Sequence, residues 1–209
     1  MQPWTEPIIE DIFTDFSVSS IFDVDIKKLQ EESYDMEKII PNQTRSNIGG
    51  YQSDIFYGED FYHFGESLRD MFPEYCKLKD IVLDYSTDVL QKLRVVRNHY
   101  VGDVAWWVNK NIYQSYNQVH NHGRADLIGI FYTKSPKDSS SLVVTRNDGS
   151  SYTKLYRENL TMGYSQLLRY PPEEGRFYLF PGHLWHYVLP QEVDEDRIST
   201  SYNMYVKSL

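Results

Sequence analysis

A chain of 209 residues can bury one sizeable core, and its 41% hydrophobic and 15% aromatic content excludes a disordered composition. The net charge of −9, with no Lys/Arg cluster, argues against a nucleic-acid partner held by electrostatics. Cys76 is the single cysteine, which excludes an internal disulfide and a thiolate metal cage and fits a reducing compartment.

In chain order, residues 1–10 lack the basic start and apolar run of a secretion signal. No apolar stretch approaches the roughly 20 residues of a membrane span, so the expected location is cytoplasmic, with no membrane partner. Residues 25–39 are charged and helix-prone. Residues 74–93 form the best helical pattern, with Leu78, Ile81, Val82, Tyr85, Val89 and Leu93 at three- and four-residue steps. From Arg94 the period becomes two. Strands are expected over 94–101, 103–114, 126–134, 141–147, 162–170, 176–180, 185–191 and 197–206, punctuated by turns at 147–149, 171–175 and 181–182. The pattern predicts one domain over 1–209, mainly β with flanking helices. In it, strands and helices of 1–93 support a two-sheet jelly roll, or double-stranded β-helix, over 94–209.

Six histidines are present, four of them in two short segments, His120-Asn121-His122 and His183-Leu184-Trp185-His186. In an extended strand His120 and His122 point to one face, so both can reach one ion. Taken alone, a His-x-His pair is more often a surface feature. A third ligand from a distant strand would leave open positions, as iron(II) oxygenases require. His186, after a strand and a Phe-Pro-Gly turn, supplies such a candidate. His183 reads as an exposed turn residue, and His63 and His99 as structural. Trp106, Trp107 and Trp185 could wall a pocket, although core packing is the expected role for at least two of them.

On the last strand, Arg197, Ser199, Ser201 and Asn203 share one face while Ile198, Thr200, Tyr202 and Met204 share the other. A polar face on a C-terminal strand is often just solvated. Facing a pocket, however, an Arg-x-Ser pair grips a carboxylate through two parallel charge-assisted bonds and a hydroxyl donor.

Taken in order, the His-x-His pair, a strand ending at Tyr132, the distal His186 and Arg197-x-Ser199 resemble the iron(II)/2-oxoglutarate oxygenases, especially the branch related to prolyl hydroxylases. Four stretches are similar to a group of such proteins from bacteria and tailed phages: 45–53 (RSNIGGYQS), 117–132 (NQVHNHGRADLIGIFY), 179–188 (LFPGHLWHYV) and 197–203 (RISTSYN). The resemblance covers most of the chain beyond residue 40. It implies iron(II) held by His120, His122 and His186, with His122 standing where most of the superfamily has a carboxylate. It also implies 2-oxoglutarate held by Arg197, Ser199 and Tyr132. Asp126 is the alternative third ligand, at a spacing that departs from the family. The implied activity is a dioxygenase that consumes 2-oxoglutarate and molecular oxygen to hydroxylate a substrate, a peptide or protein side chain being the hint from prolyl hydroxylases. If the chain is phage-encoded, its cytoplasm is that of the bacterial host. Three neutral imidazoles would make iron affinity fall as pH drops through about 6.5. Two other readings remain: a cupin-type metalloenzyme without 2-oxoglutarate, which leaves Arg197 and Ser199 without a task, and a non-catalytic jelly-roll binding or virion protein.

Overall fold

The computed structural model describes residues 2–12, 15–43, 45–57, 62–63, 66–93, 98–145 and 167–208. Strands β1 (Ile8–Ile12) and β2 (Asp15–Ile21) precede helix α1 (Ile26–Ile39). Short strands follow: β3 (Asn47–Ile48), β4 (Tyr51–Gln52), β5 (Phe56–Tyr57), β6 (Tyr62–His63) and β7 (Glu66–Ser67). Helices α2 (Leu68–Met71) and α3 (Pro73–Lys92) then lead into β8 (His99–Asn111), β9 (Tyr116–His120), β10 (Leu127–Lys134) and β11 (Leu142–Thr145). The chain ends with β12 (Leu167–Tyr170), β13 (Arg176–Pro181), β14 (Trp185–Val188) and β15 (Arg197–Ser208).

Each main helix begins where the sequence caps it. The Asp25 side chain accepts the Lys28 N–H at the start of α1. Helix α3 opens on Pro73, which has no N–H to leave unpaired. Its next N–H groups, from Glu74 and Tyr75, donate to the two Glu32 carboxylate oxygens at 2.9 and 3.0 Å. A negative charge from α1 thus sits on the positive end of α3 and ties the two helices together.

Apart from a two-stranded ribbon of β6 and β7, the described strands form two facing antiparallel sheets. The larger runs β1-β2-β13-β10-β15-β8-β4, with β5 also on β8, and the smaller runs β12-β11-β14-β9-β3. Side chains alternate across each central strand of the larger sheet and feed two separate cores. On one face, Trp106, Val108, Phe131, Phe177 and Tyr202 pack against Leu78, Val82, Tyr85 and Val89 of α3. On the other, Ile128, Ile130, Tyr132, Tyr178 and Phe180 meet Leu142, Val144 and Val188 of the smaller sheet. The architecture is the expected jelly roll with flanking helices.

Three details differ from the expectation. The strands anticipated over 94–101 and 103–114 are one strand, His99–Asn111. Its partners on β15 step from Tyr205 opposite Asp103 to Val206 opposite Val101, so Gly102 bulges out and the alternation slips without breaking the strand. Strand β9 is absent from the periodic strands, because Asn117 and Gln118 interrupt any apolar alternation, and the extended His120–His122 expected there ends at His120, leaving His122 beyond the strand. Of the strand expected over 162–170 only Leu167–Tyr170 is observed; 162–166 lie outside the described residues, as do 94–97 and the turn at 147–149.

Candidate functional site

His186 on β14 pairs directly opposite His120 on β9, which brings both rings to one end of the smaller sheet. His122 lies just past the end of β9, in a turn closed by the Ala125 N–H donating to the His122 carbonyl at 2.7 Å. The Pro181-Gly182 turn clasps this segment. The His122 N–H donates to the Gly182 carbonyl at 3.0 Å, and the Gly182 N–H donates to the Asp126 carbonyl at 2.9 Å. A Cβ at position 182 would sit 1.9 Å from the Ala125 carbonyl oxygen, so only glycine permits the approach.

The three imidazoles converge. Ring centroids lie 4.4 Å apart for His120 and His186, and 5.0 Å for His122 to each of the others. One ring nitrogen from each residue falls within 4.8 Å of the other two. Their second nitrogens are all spoken for. His120 Nδ1 donates to the Gln118 carbonyl at 2.6 Å, His186 Nδ1 to the Leu184 carbonyl at 3.1 Å, and His122 Nδ1 to the Asn203 side-chain oxygen. Protonation at Nδ1 fixes the tautomer in which Nε2 carries the free lone pair, the arrangement a metal ligand needs.

Electrostatics favour the same neutral form. Burial lowers the His122 pKa to about 4, with the neighbouring His120 adding to the effect. Burial also holds His186 well below the ordinary histidine range, reinforced by His120 and His122, and lowers His120. Trp107 covers His122 with rings 5.6 Å apart and nearly parallel, and Phe180 meets His186 edge-on.

Deeper between the sheets the pocket is lined by Tyr132, Arg197, Ser199 and Ser201 along with the three histidines. Arg197 is 1% exposed. Its Nη2 donates to the Asn111 side-chain oxygen at 3.2 Å, while Nε and Nη1 have no acceptor among the described residues. Its guanidinium carbon lies 5.5 Å from the Tyr132 ring centre, and the buried Tyr132 hydroxyl likewise has no partner among the described residues. Ser199 pairs opposite Tyr132 across β10 and β15, which sets both at the same level of the pocket. Among the described residues, no Asp or Glu lines this pocket. Burial lowers the Arg197 pKa, yet a guanidinium stays charged, so the site holds a positive charge that no carboxylate of the described residues neutralises. A carboxylate ligand fits there, as a divalent ion fits the imidazole nitrogens.

Elsewhere, Asp126 is exposed, and its Oδ2 accepts the Val206 N–H at 2.8 Å, facing away from the histidines. His183 is exposed in its turn and His99 is half-buried on β8, both outside the cluster; the His63 side chain lies outside the described residues. Trp107 lines the pocket, whereas Trp106 is core, stacked on Tyr75 with ring centres 5.6 Å apart. The sequence placed Asn203 on the polar face but gave no sign that it orients His122. It was silent on Asn111, whose cross-strand partner on β15 is Arg197 itself.

With this geometry in hand, comparison with known proteins is direct. Residues 105–203 match the family model described as "Putative 2OG-Fe(II) oxygenase". Among solved structures, a prolyl-4-hydroxylase from Pseudomonas putida is similar at a TM-score of 0.56 and 11% identity, covering 93% of this chain and 95% of that one. A Trichoplax adhaerens prolyl hydroxylase, in complex with a hypoxia inducible factor peptide fragment, aligns at a TM-score of 0.58 and 13% identity over 86% of this chain and 77% of its own. HygX from Streptomyces hygroscopicus, with nickel and 2-oxoglutarate bound, aligns at 0.53 and 11% identity over 89% and 81%. No curated protein matches by sequence. Identities this low establish a shared fold. The chain carries the 2OG-Fe(II) oxygenase family match over residues 105–203, the stretch that holds the three histidines and Arg197. It is a 2-oxoglutarate-dependent dioxygenase of prolyl-hydroxylase-like fold, with iron(II) as its metal and 2-oxoglutarate and oxygen as co-substrates. Among the described residues, no helix is long and apolar enough to cross a membrane.

Proposed function

We propose that His120, His122 and His186 are the iron ligands, that Arg197, Ser199 and Tyr132 bind the far carboxylate of 2-oxoglutarate, and that the hydroxylated substrate is a peptide or protein side chain. The observation that carries the reading is the buried, uncompensated guanidinium of Arg197 in the same pocket as three converging imidazoles. A cupin-type enzyme without 2-oxoglutarate would have no use for that charge, and leaving it unpaired in the interior is costly. The peptide substrate is supported by the likeness to the Trichoplax prolyl hydroxylase that binds a peptide fragment. When bound, iron(II) and 2-oxoglutarate supply the oxidising power: oxygen converts the oxo acid to succinate and carbon dioxide and hydroxylates a C–H bond.

The chain's own residues prepare the site. Hydrogen bonds from the three Nδ1 atoms hold the rings in one orientation, so little reorganisation accompanies loading. Arg197 supplies two unused N–H donors and Tyr132 one hydroxyl to the arriving carboxylate, replacing the water that it sheds. Trp107 and Phe180 exclude solvent from the imidazoles.

Measuring bound iron and succinate formation together tests the assignment. The parent should show both, and His186→Ala and His120→Ala neither. His183→Ala should match the parent. Full iron loading of His120→Ala, or parental succinate formation by Arg197→Leu, would remove the corresponding part of the proposal.

A further inference from the structure

Outward from His120 and His122, the pocket opens into a second cleft at the surface, and the two share Ser46, Trp107 and both histidines. The charge pattern of this outer cleft is the reverse of the molecule's. The chain carries 30 acidic against 21 basic residues, yet among the described residues no Asp or Glu lines the cleft, while Arg45 and Arg124 do. Both arginines are exposed, and neither has an acidic partner among the described residues. A second observation is independent of charge. Gln52 also lines the cleft; it is 1% exposed, and its buried Oε1 has no donor among the described residues. A buried acceptor left open beside a cleft calls for an N–H from whatever fills it.

We propose that the outer cleft is the substrate site and that it takes an acidic peptide segment. A backbone N–H of the peptide donates to Gln52 Oε1, and Asp or Glu side chains flanking the oxidised residue pair with Arg45 and Arg124. This assignment rests on the function proposed above. An amide acceptor and two arginines together ask for N–H donors and carboxylates on one extended ligand. Nucleic acid meets the site poorly, since its affinity comes from several simultaneous phosphate contacts and the remaining surface of this chain repels polyanions.

The test uses the whole chain, loaded with iron(II) and 2-oxoglutarate without oxygen. The probes are a fluorescein-labelled peptide with a central proline flanked by Asp and Glu, and its copy with Asn and Gln in their place. Fluorescence anisotropy should show the acidic peptide binding on the order of tenfold tighter at low salt, with the preference shrinking as salt is added. Arg45→Gln combined with Arg124→Gln should abolish the preference, and Gln52→Leu should weaken both peptides alike. A parent that binds neither peptide or both equally, a double variant that keeps the preference, or an oligothymidylate that outcompetes the acidic peptide would overturn the proposal. The arginines are exposed, so that arm decides even if Gln52→Leu fails to fold. Binding of 2-oxoglutarate to the oxygen-free iron(II) protein, compared between the parent and Arg197→Leu, involves no peptide and judges the co-substrate assignment separately.

Discussion

The two faces of strand β15 do opposite work from one stretch of chain. Ile198, Tyr202 and Met204 are fully buried in the core under the helices, whereas Arg197, Ser199 and Asn203 reach into the space between the sheets. Both faces are largely shielded from water, so burial alone does not distinguish core from site. What distinguishes them is charge. The helix side leaves only neutral hydroxyls without a partner, those of Thr200 and Tyr202, whereas the pocket side keeps the buried guanidinium of Arg197 with two N–H positions unpaired among the described residues. A folded protein tolerates that cost where a ligand removes it.

Substitutions on each face should therefore move different observables. The largest stability effect is expected at Trp106, on the helix side of β8. Trp106→Ala should cost about 3–5 kcal/mol, as a fully buried indole leaves a cavity, and denaturant unfolding measures it. Arg197→Leu should behave in the opposite way. It removes a buried, uncompensated charge, so the ligand-free protein should unfold at equal or higher denaturant. Binding of 2-oxoglutarate should nevertheless weaken by roughly 2–5 kcal/mol, measured by calorimetry without oxygen.

Asn203→Ala sharpens the contrast further, because it touches neither core. Losing the oxygen that orients His122 should lower iron affinity about 10- to 100-fold with little change in unfolding. The same variant with unchanged metal affinity would count against His122 as a ligand oriented by Asn203.

The pH dependence separates the faces most gently. Unfolded histidines take up protons near pH 6.5, whereas burial holds the folded His122 pKa at about 4 and lowers those of His120 and His186. The unfolded chain therefore binds more protons below pH 6.5. Stability of the metal-free protein should be full above that pH and decline as pH falls toward 4. His122→Phe should flatten part of the decline in thermal melts. On the proposed ligand set, iron affinity should also persist below the pH 6.5 expected from unperturbed imidazoles, because the folded site is already neutral there.

How much of this the sequence revealed follows from the same contrast. Periodicity exposed the two faces of β15 and the buried face of α3, because alternation and helical spacing are local properties. The histidine set was legible as spacing plus resemblance, and so was Arg197 with Ser199. Strand β9 was hidden because its polar residues belong to the pocket rather than to an apolar face. Gln52 and Asn111 were hidden because their significance lies in what they fail or manage to touch across the fold. Asp126 was a reasonable rival to His122 on the page, and it is the turn closed by Ala125 that swings its carboxylate onto the Val206 N–H.

The central claim is that the imidazole cluster and Arg197 form one site for iron and 2-oxoglutarate. It is tested most directly by titrating the iron(II) protein with 2-oxoglutarate in the absence of oxygen and recording the visible charge-transfer band of the chelated metal. The account predicts a saturable band in the parent that is lost in His186→Ala and, at the same 2-oxoglutarate concentration, nearly absent in Arg197→Leu. A band of equal strength and midpoint in the parent and Arg197→Leu would contradict it.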